Sequence, residues 1–197
     1  RPAGASLAIR LGQRNIKTLL LDKAEFPSLP NVPSSPIFHP GTMRMLDELG
    51  IPEADYTHPG GRIDQYVLDF VSYFRAEIPV KVAQLDRTYS YGIDRNKFDN
   101  TLWQKAQEYP SVTAWSGFAV TEVIKDAKGV IGIKGNTGRG TQQVTITADL
   151  VVGADGRFSF AARQFGAKVV EEKNEFTCAS YQAEWENVSD NNLPNTM

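Results

Sequence analysis

A chain of 197 residues, 41% hydrophobic and 22% charged, is long enough to bury a proper core and short enough for one domain or two small ones. Its net charge of -2 and lack of a basic run argue against a nucleic-acid footprint, and no apolar stretch approaches the roughly 20 residues that span a bilayer. A single cysteine, Cys178, excludes an internal disulfide framework and suits a reducing, cytoplasmic setting, where it reads as a small buried hydrophobe in a strand in preference to a reactive thiol.

The chain begins with Arg1-Pro2-Ala3-Gly4, the pattern of the tail of a glycine-rich dinucleotide-binding turn whose opening glycines and preceding strand are absent. In such a turn the last glycine, here Gly4, lets the following helix pack closely on the strand. Ala5 to Gly12 is small and apolar at helical spacing, and Lys17 to Asp22 is a short apolar run ending in an acid. A helix followed by a buried parallel strand is the second half of a βαβ unit. Asp22 lies at about the 20-residue offset expected of the acid that accepts the adenosine ribose hydroxyls, and Lys23 adjoins it. An ordinary βα unit with a helix-packing glycine would also account for the first four residues.

Residues 24–40 hold five prolines and three serines and predict a long surface connection. Gly41 to Leu49, with Met43, Met45, Leu46 and Leu49 apolar, predicts a short amphipathic helix closed by Gly50 and Pro52. Tyr66–Val71 and Tyr73–Ile78 are rich in aromatic and β-branched residues, as in an inserted antiparallel sheet. Its alternating side chains could wall a substrate pocket or form a half-buried sheet face. Tyr89–Ile93 leads into a helix from about Arg95 to Glu108, with Phe98, Leu102 and Ala106 on one face. A three- or four-stranded meander follows, from Val112–Trp115, Ala119–Lys125, Val130–Lys134 and Val144–Thr147. Asp149–Gly156 reads as a buried strand running into a second glycine turn, Phe158–Phe165 as a helix, and Phe176–Trp185 as one more strand entering the aromatic sheet. His39 and His58 have no neighbours at metal-ligand spacing.

The segment Leu150-Val151-Val152-Gly153-Ala154-Asp155-Gly156-Arg157-Phe158-Ser159-Phe160-Ala161-Ala162-Arg163 resembles the DG motif of the FAD-dependent aromatic hydroxylases, the single-component flavoprotein monooxygenases typified by p-hydroxybenzoate hydroxylase. A plain βα turn would instead keep Asp155 as a helix-start acid satisfying orphan N–H groups. The resemblance runs from the first turn to the aromatic strand at Tyr181–Trp185, with the motifs in the family's order. It implies an α/β fold: a Rossmann-like, three-layer FAD-binding domain of the GxGxxG type with an inserted antiparallel β-sheet substrate domain, truncated at both ends. Residues 1–62 and 87–170 would form the cofactor-binding domain, and 63–86 with 171–197 part of the substrate-binding sheet.

By the same resemblance, Arg95 contacts the ribityl-pyrophosphate region of the flavin, where its planar fork suits a diphosphate. The bare sequence equally allows a solvated surface charge there. Val120 matches the position whose backbone meets the adenine, and Asp155 and Gly156 match the turn that contacts the flavin ribose along the path of NAD(P)H. Arg1 stands where the family has glycine or another small residue, Ser34-Ser35 where some relatives carry an arginine, and the family's Gly-Asp-Ala motif would follow Met197. The implied activity is NAD(P)H-dependent hydroxylation of a small aromatic or electron-rich substrate by molecular oxygen through a flavin C4a-hydroperoxide. Flavin-dependent halogenases and geranylgeranyl reductases look similar over this region, and a piece that holds no flavin by itself is a further alternative. No nucleophile or acid-base pair is required of these residues. Ser159 lacks the flanking glycines of a nucleophile elbow.

Overall fold

The computed structural model describes residues 1–28, 35–71, 73–127, 129–138 and 142–170. The expected strand at 176–185, Cys178 and Ser34 lie outside them. In chain order the elements are α1 (Pro2–Gly12), β1 (Thr18–Leu21), β2 (Ile37–Phe38), α2 (Pro40–Glu48), β3 (Arg62–Ile63), β4 (Gln65–Phe70), β5 (Phe74–Pro79), β6 (Ser90–Gly92), α3 (Arg95–Gln107), β7 (Val112–Trp115), β8 (Phe118–Asp126), β9 (Gly129–Thr137), β10 (Gln143–Thr147) and α4 (Phe160–Phe165). This is an α/β chain. It divides into two compact units, one holding the described residues of 1–28 and 102–170, the other those of 35–101.

In the first unit, β1 pairs in parallel with β7, Thr18 opposite Val112 and Leu21 opposite Trp115. The ladder is carried past β1 by Asp22, whose N–H donates to Trp115 O at 3.1 Å and whose carbonyl accepts from Phe118 N–H at 2.9 Å. Helix α1 buries Ala5, Ala8, Ile9 and Gly12, the apolar stripe read from the sequence. The far half of α3 adds Leu102, Trp103 and Ala106 to the core, and Trp103 stacks on Phe26 with ring centroids 4.3 Å apart. β8, β9 and β10 form the expected antiparallel meander. The parallel pairing of β7 sets it apart from them.

Two expectations change in this unit. β1 is half-buried along its length and not fully buried. The segment from Asp149 to Gly156 is not a buried strand: among the described residues it pairs with none, and Leu150 and Val152 are 77% and 53% exposed. An extended segment is assigned to a sheet by its ladder, and apolar alternation alone supplies no neighbouring edge.

The second unit is organised by the antiparallel sheet β2-β6-β3. Ile37 lies opposite Gly92 and Ile63 opposite Ser90. The proline-rich connection therefore contributes a strand, because Ile37 and Phe38 find β6 more than fifty residues later in the chain. Phe38 packs edge-on to Phe98 at 4.5 Å and tilted on Tyr56 at 5.6 Å. Helix α2 begins at Pro40, whose fixed φ suits a first helical position. It buries Met43 and Leu46, but Met45 points to solvent, 59% exposed, because it falls off the 3.6-residue stripe. β4 and β5 form the expected antiparallel pair, from Gln65 opposite Pro79 to Phe70 opposite Phe74, with Phe70 stacked on Phe74 and both exposed.

Candidate functional site

The first unit brings both glycine turns together. Gly4, in the first turn of α1, faces the second motif: a Cβ placed on it would come 3.4 Å from Ala154 Cβ and 3.6 Å from Leu20 Cδ1. That is ordinary contact, so a methyl would just fit, and Gly4 comes within a methyl's reach of Ala154 in the second turn. Arg1 is the N-cap of α1 and Pro2 opens it, and the cap residue's own side chain makes no capping hydrogen bond to the first turn. Those groups have no acceptor one turn earlier. Together with the positive end of the helix dipole they suit an anion.

Asp22 sits at the carboxyl end of β1 with its side chain 18% exposed. Its Oδ1 accepts from Ala24 N–H at 2.8 Å, and its Oδ2 lies 3.8 Å from Arg1 Nε. The neighbouring Lys23 is exposed. Val120 is half-buried in β8 opposite Gly135, and a β-bulge separates it from Glu122. Bulges of this kind turn a strand locally and re-aim its neighbours.

The second turn is built differently. Gly153 is held by close approach: a Cβ there would stand 2.5 Å from Ala161 Cβ. Gly156 has φ 83°, in the region where L side chains are strained. Asp155 turns back on the helix it precedes, taking Ala161 N–H on Oδ2 at 3.0 Å and the Ser159 hydroxyl on Oδ1. Burial by itself would raise its pKa; the hydrogen bonds from Ser159 and from the N–H groups of Ala161 and Phe160 outweigh it and hold the carboxyl below its ordinary value. Ser159 is the N-cap of α4, accepting Ala162 N–H at 2.9 Å, and Gly166 closes the helix. Sequence reasoning set Ser159 aside as a nucleophile without finding this cap, although a serine three residues before Ala162 at a helix start was the available signal.

Arg95 belongs to the other unit. It opens α3 and its Nη2 donates to both carboxylate oxygens of Asp99, at 2.9 and 3.2 Å. Asp99 is fully buried and the Arg95 side chain is 17% exposed, so this is an anchored ion pair and not a solvated surface charge. In the same unit, Tyr66 Oη donates to the buried Ser90 hydroxyl and also contacts His39 Nδ1, both at 3.0 Å. Tyr56 is buried, and burial followed by the nearby Glu53 carboxylate keeps its phenol protonated well beyond the usual range.

An uncapped helix start, an acid closing the adjacent parallel strand and a second glycine turn close to the first are the parts that a dinucleotide-binding α/β unit uses. The donors and acceptors present fit FAD: first-turn N–H groups for a diphosphate, and a carboxylate for ribose hydroxyls. The family model described as an FAD binding domain matches residues 1–194, and the chain belongs to that family. 6-Methylpretetramide 4-monooxygenase of Streptomyces rimosus is 24% identical over 170 residues, 84% of this chain and 38% of that protein. The solved structure of p-nitrophenol 4-monooxygenase PnpA from Pseudomonas putida DLL-E4 matches with a TM-score of 0.69 at 18% identity, covering 84% of this chain and 41% of that one. The flavin-dependent halogenase CmlS matches with a TM-score of 0.66 at 22% identity, covering 84% of this chain and 29% of that one. The chain thus spans less than half the length of each of these relatives. Among the described residues, no helix is long and apolar enough to cross a membrane.

Proposed function

We propose that this chain is the cofactor-binding part of an FAD-dependent monooxygenase that takes electrons from NAD(P)H and hydroxylates a small aromatic or other electron-rich substrate with molecular oxygen. The observation that supports the reading is the closeness of the two turns, Gly4 standing within a methyl's reach of Ala154 in the same unit. Bound FAD supplies the redox chemistry. The chain's own residues supply position: the first-turn N–H groups at Ala3 and Gly4 hold the diphosphate, Pro2 fixes the entry of the helix, and Asp22 with Lys23 holds the adenosine ribose. Val120 lines the adenine, Asp155 and Gly156 meet the flavin ribose, and Arg95, its plane set by Asp99, meets the ribityl-pyrophosphate. The division by role into 1–62 with 87–170 for the cofactor and 63–86 with 171–197 for the substrate belongs to the same reading, and is distinct from the division into compact units. A cytoplasmic location belongs to it as well.

Oxygen uptake coupled to NAD(P)H oxidation, measured on the purified full-length protein with FAD over a panel of phenols, tests the reaction. Substrate-stimulated uptake with a hydroxylated product is expected. A halogenated product in the presence of halide, or reduction of a prenyl double bond without oxygen uptake, would replace hydroxylation by the corresponding flavin reaction.

A further inference from the structure

Arg1 is absent from the cofactor contacts expected from the sequence, yet its side chain is held by several described residues. Its Nη1 donates to Ser28 O at 2.7 Å, its Nε lies 3.8 Å from Asp22 Oδ2, and its guanidinium carbon lies 5.6 Å from the centroid of the Phe26 ring. Only 15% of the side chain is exposed. Arginine loses much rotamer freedom when fixed in this way, so an arginine held by a carbonyl, a carboxylate and a ring face at once is a built feature.

Its place gives the feature a purpose. A dinucleotide brings a doubly charged diphosphate to the start of α1, while the ribose-binding carboxylate of Asp22 stands at the end of the adjacent strand. The helix terminus offers about half an elementary charge against both. Two anions in one partly covered site repel, and that repulsion weakens whichever arrives second. The Arg1 guanidinium lies against the carboxylate and is anchored at the same helix start. It removes the conflict, while Ala24 N–H holds the other carboxylate oxygen at 2.8 Å and fixes the plane of the acid.

We infer that Arg1 is a positioning residue of the dinucleotide site: through its contact with Asp22 it neutralises and orients the ribose-binding acid, so that acid and diphosphate can be accommodated side by side. The inference rests on the FAD reading above. The test is a titration of the FAD-free full-length protein with FAD, followed by quenching of flavin fluorescence, for the wild type, Arg1→Ala, Arg1→Lys, Asp22→Asn and the Arg1→Ala/Asp22→Asn double variant, at low and high salt.

Arg1→Ala is expected to weaken FAD about tenfold at low salt and less at high salt, where charges are screened. Arg1→Lys should recover part of the loss. In the Asp22→Asn background, removing Arg1 should cost clearly less, which is the coupling that separates action through Asp22 from direct contact. Circular-dichroism melting of the FAD-free variants separates folding from binding: the loss of FAD affinity should exceed any lowering of the midpoint and keep its salt dependence. An Arg1→Ala variant that keeps wild-type affinity, an equal loss in both backgrounds, or a loss that tracks a lowered melting midpoint would each overturn the inference while leaving the FAD reading in place. A wild-type protein that binds no FAD would overturn both.

Discussion

The two glycine turns of the first unit follow the same order of parts, a glycine-containing bend that opens a helix, yet they treat their helix termini in opposite ways. The first leaves the N–H groups of an 11-residue helix without a side-chain cap and keeps its acid, Asp22, on the next strand. The second closes a six-residue helix with its own acid and serine, Asp155 taking Ala161 N–H and the Ser159 hydroxyl while Ser159 takes Ala162 N–H. A motif that looks like a ligand site in sequence is therefore also a self-satisfied cap. Of the two, the turn without a side-chain cap is the first, and the second is shaped first of all by its own packing.

Substitutions in the second turn should accordingly read out in stability. Gly153→Val is expected to cost most, about 3 kcal/mol at the upper end of overpacking, because the new side chain meets Ala161. A chemical-denaturation midpoint equal to wild type would show that the turn can give way. Gly156→Ala should cost about 1–2 kcal/mol by the same measurement, the price of φ 83° for a residue with a Cβ. Ser159→Ala should cost about 1 kcal/mol by loss of the cap, with Asp155→Ala partly redundant with it in a double-variant cycle.

The smallest effect is one of pH. Because the folded-state pKa of Asp155 is lowered, its stabilisation is complete above the ordinary value of 3.8 and is lost as the pH falls through the lowered one. Acid titration followed by amide exchange should therefore loosen Ala161 and Ala162 below that range in the wild type, and Asp155→Asn should remove the dependence.

Much of this arrangement is legible in the residues themselves. The stripe of Ala5, Ala8 and Ile9 marks α1, the spacing of Phe98, Leu102 and Ala106 marks α3, and alternation marks β4, β5 and the meander, because each pattern is local. What is not legible depends on partners distant in sequence. The pairing of Ile37 and Phe38 with β6 hides inside a proline-rich connection, and the exposure of Leu150 and Val152 follows from which strands stand beside them. The contact of Arg1 with Asp22 closes a gap of 21 residues, and the sequence offered as its signal only an arginine where the family has a small residue. Asp155 shows the opposite case. A helix-start acid and a ligand-contacting acid ask for the same residue, so sequence alone leaves both roles open.

Ala3 offers the most direct test of the claim that the open helix start of the first turn receives the FAD diphosphate. It is exposed in the first turn of α1, where an acid favours the helix dipole by about 0.3–1 kcal/mol. FAD affinity of Ala3→Glu, measured by fluorescence quenching on the full-length protein beside the melting midpoint of its FAD-free form, separates folding from binding. The account predicts an unchanged or raised midpoint together with at least about a tenfold loss of FAD affinity, as the new charge opposes the diphosphate. An Ala3→Glu protein that binds FAD as tightly as the wild type would contradict it.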